Sequence, residues 1–475
     1  MKRSQKLFHS FVALFLAFST LNLTHVEAAQ ALEWTSCSTQ VDCSTFEVPV
    51  DYAKPKADQF TIHLIRYRAT DQKNKLGSIV VNPGGPGASA IAYAQDAKQI
   101  VSKAIYSKYD IIGFDERGVG ASDPLRCLTD KEQDAYLSSD GSVSNKKELA
   151  TMIANAKLIA DRCAKAAGNK LGHYSTLESA KDMEVLRGLL GEPKLNFMGK
   201  SYGTYLGTLY AALYPDRVGK FVLDGAMDPN VSSKTQSLNQ AIAFDRSMKD
   251  YLSKYRTFTA KQISAFLIGL KTKPLVMPSG RKLTESLALG GIAWQLYDNY
   301  YWPQLNDALK QAINNGDGSD LLASVDNYNN RDANGHYENE NDIAMATSCL
   351  DFPEKRSAQQ MYADGKQFVS AAPFFGPYLT YAGLGCYYWK APAPKLPSMK
   401  SITTKSQIIV IGVTKDPATP YKWAKELNKI LKNSVLLTYA GDGHTGHNRG
   451  NVCIDSRVDS YFLGKTRSEE HTSEL

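Results

Sequence analysis

Residues 195–214 constrain the fold of this chain more than any other segment. Leu195-Asn-Phe-Met198 is short and apolar, as expected for a buried strand, and Thr204–Tyr214 has the apolar spacing of a helix. Between them lies Gly199-Lys-Ser-Tyr-Gly203. Glycines on both sides of a serine allow a tight turn that holds the hydroxyl at the end of the strand, facing the helix N-terminus. The segment therefore predicts strand, sharp turn and helix, with Ser201 presented at the turn.

Apolar runs alternate with amphipathic stretches in most of the chain, which favours a mostly parallel sheet with helices on both faces and hence the α/β class. Further strands are predicted at Ile62–Tyr67, Gly77–Asn82, Tyr109–Phe114, Lys220–Leu223, Ser406–Gly412 and Ser434–Tyr439, and a further helix at Tyr421–Leu431. Met227–Lys395 instead contains helix-like stretches with no obvious buried strand. We expect it to be an inserted helical cap.

The two ends of the chain differ from the rest. Lys2, Arg3 and Lys6 precede an interrupted apolar stretch and a small-residue exit at Ala28, which is typical of a cleaved signal peptide, with an uncleaved membrane anchor as the alternative. The polar end RSEEHTSEL resembles translated adapter DNA. We expect a signal peptide at 1–28, core at 29–226, cap at 227–397, core at 398–466 and a non-native tail at 467–475. The mature protein is expected to be secreted, free or at the cell wall, without stable membrane insertion.

Export also decides how the seven cysteines are interpreted, because thiols in an oxidising compartment pair. The expected pairs are Cys37 with Cys43, Cys127 with Cys163, and Cys349 with Cys386. Cys453 is left over. The formal net charge is +7, but Lys and Arg are scattered, so nucleic-acid binding is not expected.

Ser201 is a poor nucleophile at neutral pH and needs a general base, which a third group must orient. His444 follows the last predicted strand among small residues and is the expected base, with His447 as its competitor. No His-Glu-x-x-His occurs and no further ligand accompanies these histidines, so a metal is not expected.

Asp416 is the expected third group, because it follows a predicted strand and should emerge at the same sheet edge as Ser201. Asp224 and Asp228 remain alternatives, since such a carboxylate needs the right geometry rather than a fixed position. The N–H groups of Tyr202 and Gly85 are the expected donors to a developing oxyanion.

Several motifs together resemble the secreted tripeptidyl aminopeptidases related to proline iminopeptidases: Asn82-Pro-Gly-Gly-Pro-Gly87, Asp115-Glu-Arg-Gly-Val-Gly-Ala-Ser122, Gly199-Lys-Ser-Tyr-Gly203, Asp416-Pro-Ala-Thr-Pro420 and Asp442-Gly-His444. The resemblance covers nearly the whole mature chain. It implies an α/β-hydrolase core, a helical cap, a Ser-His-Asp triad without cofactor and peptide substrates. Asn82-Pro83 replaces the histidine of proline iminopeptidases, as in the tripeptidyl branch, where longer peptides are released.

A pocket for a free amine needs carboxylates at a fixed distance from the nucleophile. Asp351 is the first candidate, ahead of Glu338, Glu340 and Asp342. Three hypotheses follow: an aminopeptidase acting on peptides, a carboxylesterase with the same triad, or a non-catalytic secreted binding protein. The presence of all three triad residues argues against the last.

Overall fold

A computed structural model describes residues 32–464, so the expected signal peptide and the expected non-native tail lie outside the described residues. The strands are β1 Thr35–Ser38, β2 Val41–Pro49, β3 Gln59–Tyr67, β4 Gly77–Asn82, β5 Tyr109–Phe114, β6 Leu195–Lys200, β7 Val218–Asp224, β8 Leu275–Val276, β9 Lys282–Leu283, β10 Ile408–Lys415 and β11 Ser434–Asp442. The helices are α1 Ala90–Gln95, α2 Ala97–Ile100, α3 Lys103–Lys108, α4 Asp130–Leu137, α5 Lys146–Ala167, α6 Thr176–Leu189, α7 Tyr202–Leu213, α8 Ser233–Tyr255, α9 Ala260–Thr272, α10 Glu285–Leu296, α11 Trp302–Asn315, α12 Ser319–Tyr328, α13 Glu340–Asp351, α14 Ala358–Ala371, α15 Gly376–Leu379, α16 Leu384–Tyr387, α17 Tyr421–Ile430 and α18 Val452–Phe462.

The main sheet in the described part of the chain has the strand order β1-β2-β3-β5-β4-β6-β7-β10-β11. The pairs from β1 to β5 are antiparallel, and every pair from β5 to β11 is parallel. The mostly parallel sheet confirms the α/β assignment, and the chain has the α/β-hydrolase fold.

Side chains from alternate positions of each strand pack on opposite faces of the sheet. On β4, Val80 contributes to the core beneath α5, α6, α7 and α17, whereas Ile79 and Val81 contribute to the core beneath α1, α3 and α18. Both layers are buried, and this explains why the central strands are continuous apolar runs in the sequence.

The segment between β7 and β10 is helical and has an apolar core of its own, formed by residues such as Leu267, Leu287 and Leu305. It also holds the small hairpin β8–β9, whose two-residue strands are too short to give a recognisable period. Helix α13 differs from the rest of this segment, because Ile343 and Leu350 pack into the core of the main sheet. We propose the divisions 29–226, 227–397 and 398–466 as core, cap and core, with α13 built into the core.

Three disulfides join the six cysteines in the predicted pairs, Cys37–Cys43, Cys127–Cys163 and Cys349–Cys386. Cys453 is the free cysteine of the described residues. Within residues 32–464, no helix is both long enough and apolar enough to cross a bilayer.

Candidate active site

Ser201 lies at the sharp turn between β6 and α7 that the sequence predicts. Its φ of 54° is in the left-handed region, which a non-glycine residue rarely adopts. Neither flanking glycine has room for a side chain. A Cβ added at Gly199 would lie 2.4 Å from Gly203 O, and a Cβ added at Gly203 would lie 2.6 Å from Asn82 Oδ1. The turn therefore holds Ser201 at the end of the parallel strands, directly before a helix N-terminus.

The imidazole of His444 is paired with the carboxylate of Asp416. His444 Nδ1 lies 2.9 Å from Asp416 Oδ2 and 3.0 Å from Oδ1. Asp416 is fully buried and accepts two backbone N–H groups, from Ala418 and Thr419, each at 2.8 Å, and the Thr419 hydroxyl at 2.9 Å. These bonds fix the carboxylate, so it can orient the imidazole and stabilise its protonated form.

Asp224 links the serine turn to the histidine loop. Its backbone oxygen accepts the N–H of Ser201 at 2.8 Å, and its carboxylate accepts the N–H groups of Gly446 at 2.7 Å and His447 at 2.9 Å. A Cβ at the next residue, Gly225, would lie 3.2 Å from His444 Cε1. Ser201 and His444 therefore both contact the dipeptide 224–225.

The alternative partners have other contacts. The carboxylate of Asp224 binds the loop backbone, and that of Asp228 accepts the N–H of Asn230 at 2.9 Å. His447 is buried, and burial together with the nearby Lys200 ammonium lowers its pKa to about 3. His447 is therefore neutral at physiological pH, and of these two histidines it is the His444 imidazole that is paired with a carboxylate.

The glycine loop after β4 lies against the serine turn. A Cβ at Gly84 would lie 2.9 Å from Ser201 Cβ, and the Gly84 N–H is taken by Asn82 Oδ1 at 3.0 Å. The N–H of Gly85 makes no hydrogen bond to any described residue. Tyr202 begins α7, so its N–H has no acceptor within the helix. The N–H groups of Gly85 and Tyr202 are therefore available to bind an oxyanion.

The structure does not place Asp351 where a substrate amine could meet it. Its side chain is buried, and one carboxyl oxygen accepts the N–H of Thr176 at 3.1 Å while the other is hydrogen-bonded to the Thr176 hydroxyl. Ile343, Thr347 and Asp351 follow one another at four-residue spacing on α13, which puts Asp351 on the helix face that packs into the core. This spacing in the sequence could have predicted that Asp351 lies in the core and not at the surface of the active site.

Glu340, at the start of α13, is the carboxylate that lies beside the glycine loop. Its Oε1 is 3.5 Å from the position of a Cβ on Gly85, and its Oε2 is bound by the Asn330 amide. Burial raises its pKa to about 7. Glu340 forms no ion pair with a described Lys, Arg or His, whereas Glu338 is exposed and Asp342 is buried against Cys127 N at 2.9 Å.

Aromatic rings of the cap surround the histidine loop. Tyr297 contacts His444 edge-on with 5.5 Å between ring centroids, and its backbone oxygen accepts the His444 N–H at 2.8 Å. Trp294 and Tyr328 pack around Tyr297 at 5.9 and 6.0 Å. We refer to Trp294, Tyr297 and Tyr328 as the aromatic cluster. Burial raises the pKa of both tyrosines, and the Glu340 charge makes a smaller contribution in the same direction.

Several known proteins are similar in sequence to this chain over most of their length. Residues 372–473 match the family model described as TAP-like protein. The serine protease Hip1 of Mycobacterium tuberculosis is 35% identical over 474 residues, which cover 92% of this chain and 89% of Hip1. The chain belongs to the Hip1 family of serine hydrolases. Carboxylesterase B of the same organism is 35% identical over 89% of this chain and 84% of its own, and the tripeptidyl aminopeptidase of Streptomyces lividans is 29% identical over 94% and 87%.

The described residues of this serine hydrolase contain one cluster of candidate metal-binding groups, which consists of Cys127, Cys163 and Asp342. The two cysteines are joined by a disulfide and therefore cannot provide thiolates.

Proposed function

We propose that this serine hydrolase is a secreted aminopeptidase that releases single residues or short peptides, such as tripeptides, from the free N-terminus of peptide substrates. Three disulfides support an oxidising compartment outside the cytoplasm. The peptidase relatives support a peptide substrate, and no cofactor is required for the chemistry.

In the proposed mechanism, Ser201 Oγ attacks the scissile carbonyl while His444 accepts the hydroxyl proton. Asp416 keeps the imidazole oriented through Nδ1, so that Nε2 is the nitrogen that exchanges the proton. The N–H groups of Gly85 and Tyr202 stabilise the oxyanion. The C–N bond then breaks as His444 donates the proton to the leaving amine, which leaves Ser201 acylated. Water next attacks the acyl carbonyl while His444 accepts a water proton, and His444 returns this proton to Ser201 Oγ as the ester bond breaks and the acid product leaves.

The position of Glu340 carries the proposal. A carboxylate beside the oxyanion loop, without a described cationic partner, is a site for the ammonium group of a peptide N-terminus. Binding a cation would favour the ionised form of Glu340, whose pKa burial raises to about 7 in the free protein. Tyr297 and Tyr328 lie close enough to Glu340 for its charge to add to the effect of burial in raising the pKa of both hydroxyls, so aromatic rings border the same region.

The first experiment compares chromogenic amides of one, two and three residues, each with a free or an acetylated N-terminus. We expect hydrolysis of the free-amine series, loss of activity in Ser201→Ala, and a loss of at least tenfold on acetylation. Cleavage of the acetylated peptides at equal rates would contradict the aminopeptidase proposal.

Glu340→Gln identifies the peptide length whose amine reaches Glu340. Three extended residues span about 10 Å, so a single carboxylate cannot serve all three lengths equally. We expect kcat/KM to fall most for the length that is naturally released. Glu338→Gln is the matched control, because Glu338 is exposed and lies two residues away.

A carboxylesterase is the second candidate, favoured by the apolar surface of the aromatic cluster and by the relative named carboxylesterase B. In that case the enzyme would hydrolyse short acyl esters in a reaction that depends on Ser201. The Glu340→Gln variant would then have the same kcat/KM for these esters as wild type. Peptide binding without turnover of any substrate would instead support the non-catalytic binding protein.

A further inference from the structure

Two buried carboxyl groups lie behind the active site and are connected by two hydroxyl groups. Glu116 Oε2 is 2.9 Å from Tyr202 Oη, which is 2.7 Å from Thr176 Oγ1, and Thr176 Oγ1 is hydrogen-bonded to Asp351 Oδ2. Glu116 and Asp351 are each 6% exposed, so water cannot replace these partners. We call this connected set the carboxyl–hydroxyl chain.

The number of hydrogen atoms in the carboxyl–hydroxyl chain follows from its contacts. It contains three oxygen–oxygen contacts, but the hydroxyls of Thr176 and Tyr202 supply one hydrogen each, and an ionised carboxylate supplies none. With both carboxyls ionised, one contact lacks a hydrogen. With both protonated, one hydrogen has no acceptor. One proton on the pair gives every contact one hydrogen.

The other bonds of the two carboxyl groups do not change this count, because each brings its own hydrogen. Glu116 accepts the Asn82 amide at 2.9 Å and a bond from Ser179, whereas Asp351 accepts the Thr176 N–H at 3.1 Å. Glu116 has more donors and is the better place for the negative charge. The proton therefore belongs on Asp351, and the bonds run from Asp351 through both hydroxyls to Glu116.

The surrounding charges are consistent with a neutral Asp351. Burial raises the pKa of Asp351 to about 7, and Glu116 adds to this rise. The other ionisable groups that face the pair in the described residues are Asp182, which is bound by the buried Arg117 at 2.6 Å, and Tyr205, whose pKa is raised by burial and by Asp351.

The carboxyl–hydroxyl chain contacts the glycine loop, the residue after Ser201 and the helix that begins with Glu340. Tyr202 provides a proposed oxyanion donor, and Glu116 holds Asn82, which in turn binds the Gly84 N–H at 3.0 Å. Asp351 is the last residue of α13, whose first residue is Glu340.

We propose that Glu116 and Asp351 share one proton through Thr176 and Tyr202, and that this chain positions Tyr202 and α13 for the reaction. Glu116, Thr176 and Asp351 are thus positioning residues. The positioning role rests on the proposed function, whereas the number of shared protons does not.

A double-mutant cycle tests the proton count by stability alone. One hydrogen of the Asp351→Asn amide supplies the hydrogen that the chain lacks, and Glu116→Gln does the same from the other end, so each single variant should melt within about 3 °C of wild type. The second amide hydrogen of each variant is present in the single and the double variants alike and cancels in the cycle. The double variant has a donor at both ends of the chain and thus one hydrogen more than the contacts can hold, and we expect it to lose at least twice the sum of the single effects. Additive melting temperatures, or a double variant as stable as wild type, would overturn the shared proton.

Activity tests the positioning role. The wild type should lose kcat as pH rises above about 7 and the shared proton dissociates, whereas Asp351→Asn should lack this alkaline loss, because its amide cannot dissociate. Thr176→Val should lower kcat at least tenfold. Thr208→Val is the control, since it removes another buried hydroxyl whose bond goes to the Thr204 backbone.

The shared proton and the positioning role can be overturned independently of each other. A coupled stability cycle with unchanged kcat in Thr176→Val would overturn the positioning role alone. Absence of any Ser201-dependent turnover in wild type would overturn the proposed function, and the stability cycle would still test the shared proton.

Discussion

The backbone oxygen of Asp224 accepts the N–H of Ser201 at 2.8 Å, at the point where two adjacent parallel strands end. The carboxylate of the same residue accepts two N–H groups of the loop that carries His444. Nucleophile and base are more than 240 positions apart in the chain, yet one residue bonds to both loops. The relative position of Ser201 and His444 therefore depends on Asp224.

We expect Asp224→Asn to lower kcat/KM by about 10- to 100-fold. The asparagine amide would point a donor at one of the two loop N–H groups, and an unsatisfied buried group costs about 1–3 kcal/mol. Steady-state kinetics on the preferred substrate measures the loss. Asp228→Asn is the control, because the Asp228 carboxylate accepts the N–H of Asn230 and makes no hydrogen bond to the histidine loop within residues 32–464. Equal activities of the two variants would refute the role of Asp224.

Gly225→Ala should lower the activity of the enzyme by displacing the loop that carries His444. The new Cβ would lie 3.0 Å from Thr445 Cγ2 and 3.2 Å from His444 Cε1, at a residue with a φ of 68°. Gly191→Ala has the same backbone strain, with a φ of 69°, but no atom within 4 Å of the new Cβ. Both variants should lose about 1–2 kcal/mol of stability from the left-handed backbone. Only Gly225→Ala should also lose at least tenfold in kcat/KM.

Glu340 should make substrate binding depend on pH. Its pKa is raised to about 7 by burial, so the carboxylate is protonated as pH falls through 7 and no longer attracts an ammonium group. We therefore expect KM for free-amine peptides to rise between pH 7.5 and pH 6, relative to an acyl ester measured in parallel. Glu340→Gln should show a high KM at every pH.

The same raised pKa predicts an effect of opposite direction on stability. A carboxyl group whose pKa is higher in the folded state stabilises the fold below its unfolded pKa, and this contribution is lost as pH rises through about 7. Glu340→Gln should therefore be more stable than wild type at pH 8, by on the order of 1 kcal/mol. Chemical denaturation at pH 5 and pH 8 measures the difference, and a gain that is equal at both pH values would contradict it.

Removal of the Cys349–Cys386 disulfide should lower the free energy of unfolding by about 3 kcal/mol, because the bond closes a loop between residues 37 positions apart. The double variant Cys349→Ser/Cys386→Ser would be compared with wild type in denaturant. Cys453→Ser is the control, since Cys453 is free, and it should change stability by less than about 0.5 kcal/mol.

Strands with a continuous apolar run at their centre were predictable from the sequence, whereas β2, which has no such run, was not. β4 and β5 have the predicted bounds, because every position of β5 and nearly every position of β4 is buried and apolar packing dominates. β2 was missed, since Asp42 and Ser44 interrupt its pattern. Asp42 is nevertheless buried, because Arg66 and Arg68 neutralise it from the neighbouring strand at 2.6 and 2.7 Å.

The sequence by itself determined the elements on which the candidate triad lies. Ser201, Asp416 and His444 each follow an apolar strand, and the ends of parallel strands lie at one sheet edge, so local patterns were sufficient to predict the same edge for all three. Only the tertiary structure decided where the carboxylates of α13 lie. Asp351 and Glu340 lie on one helix, but α13 packs into the core at one end and against the glycine loop at the other. Burial and hydrogen-bond partners thus distinguish two similar acids, and both depend on segments that are distant in the chain.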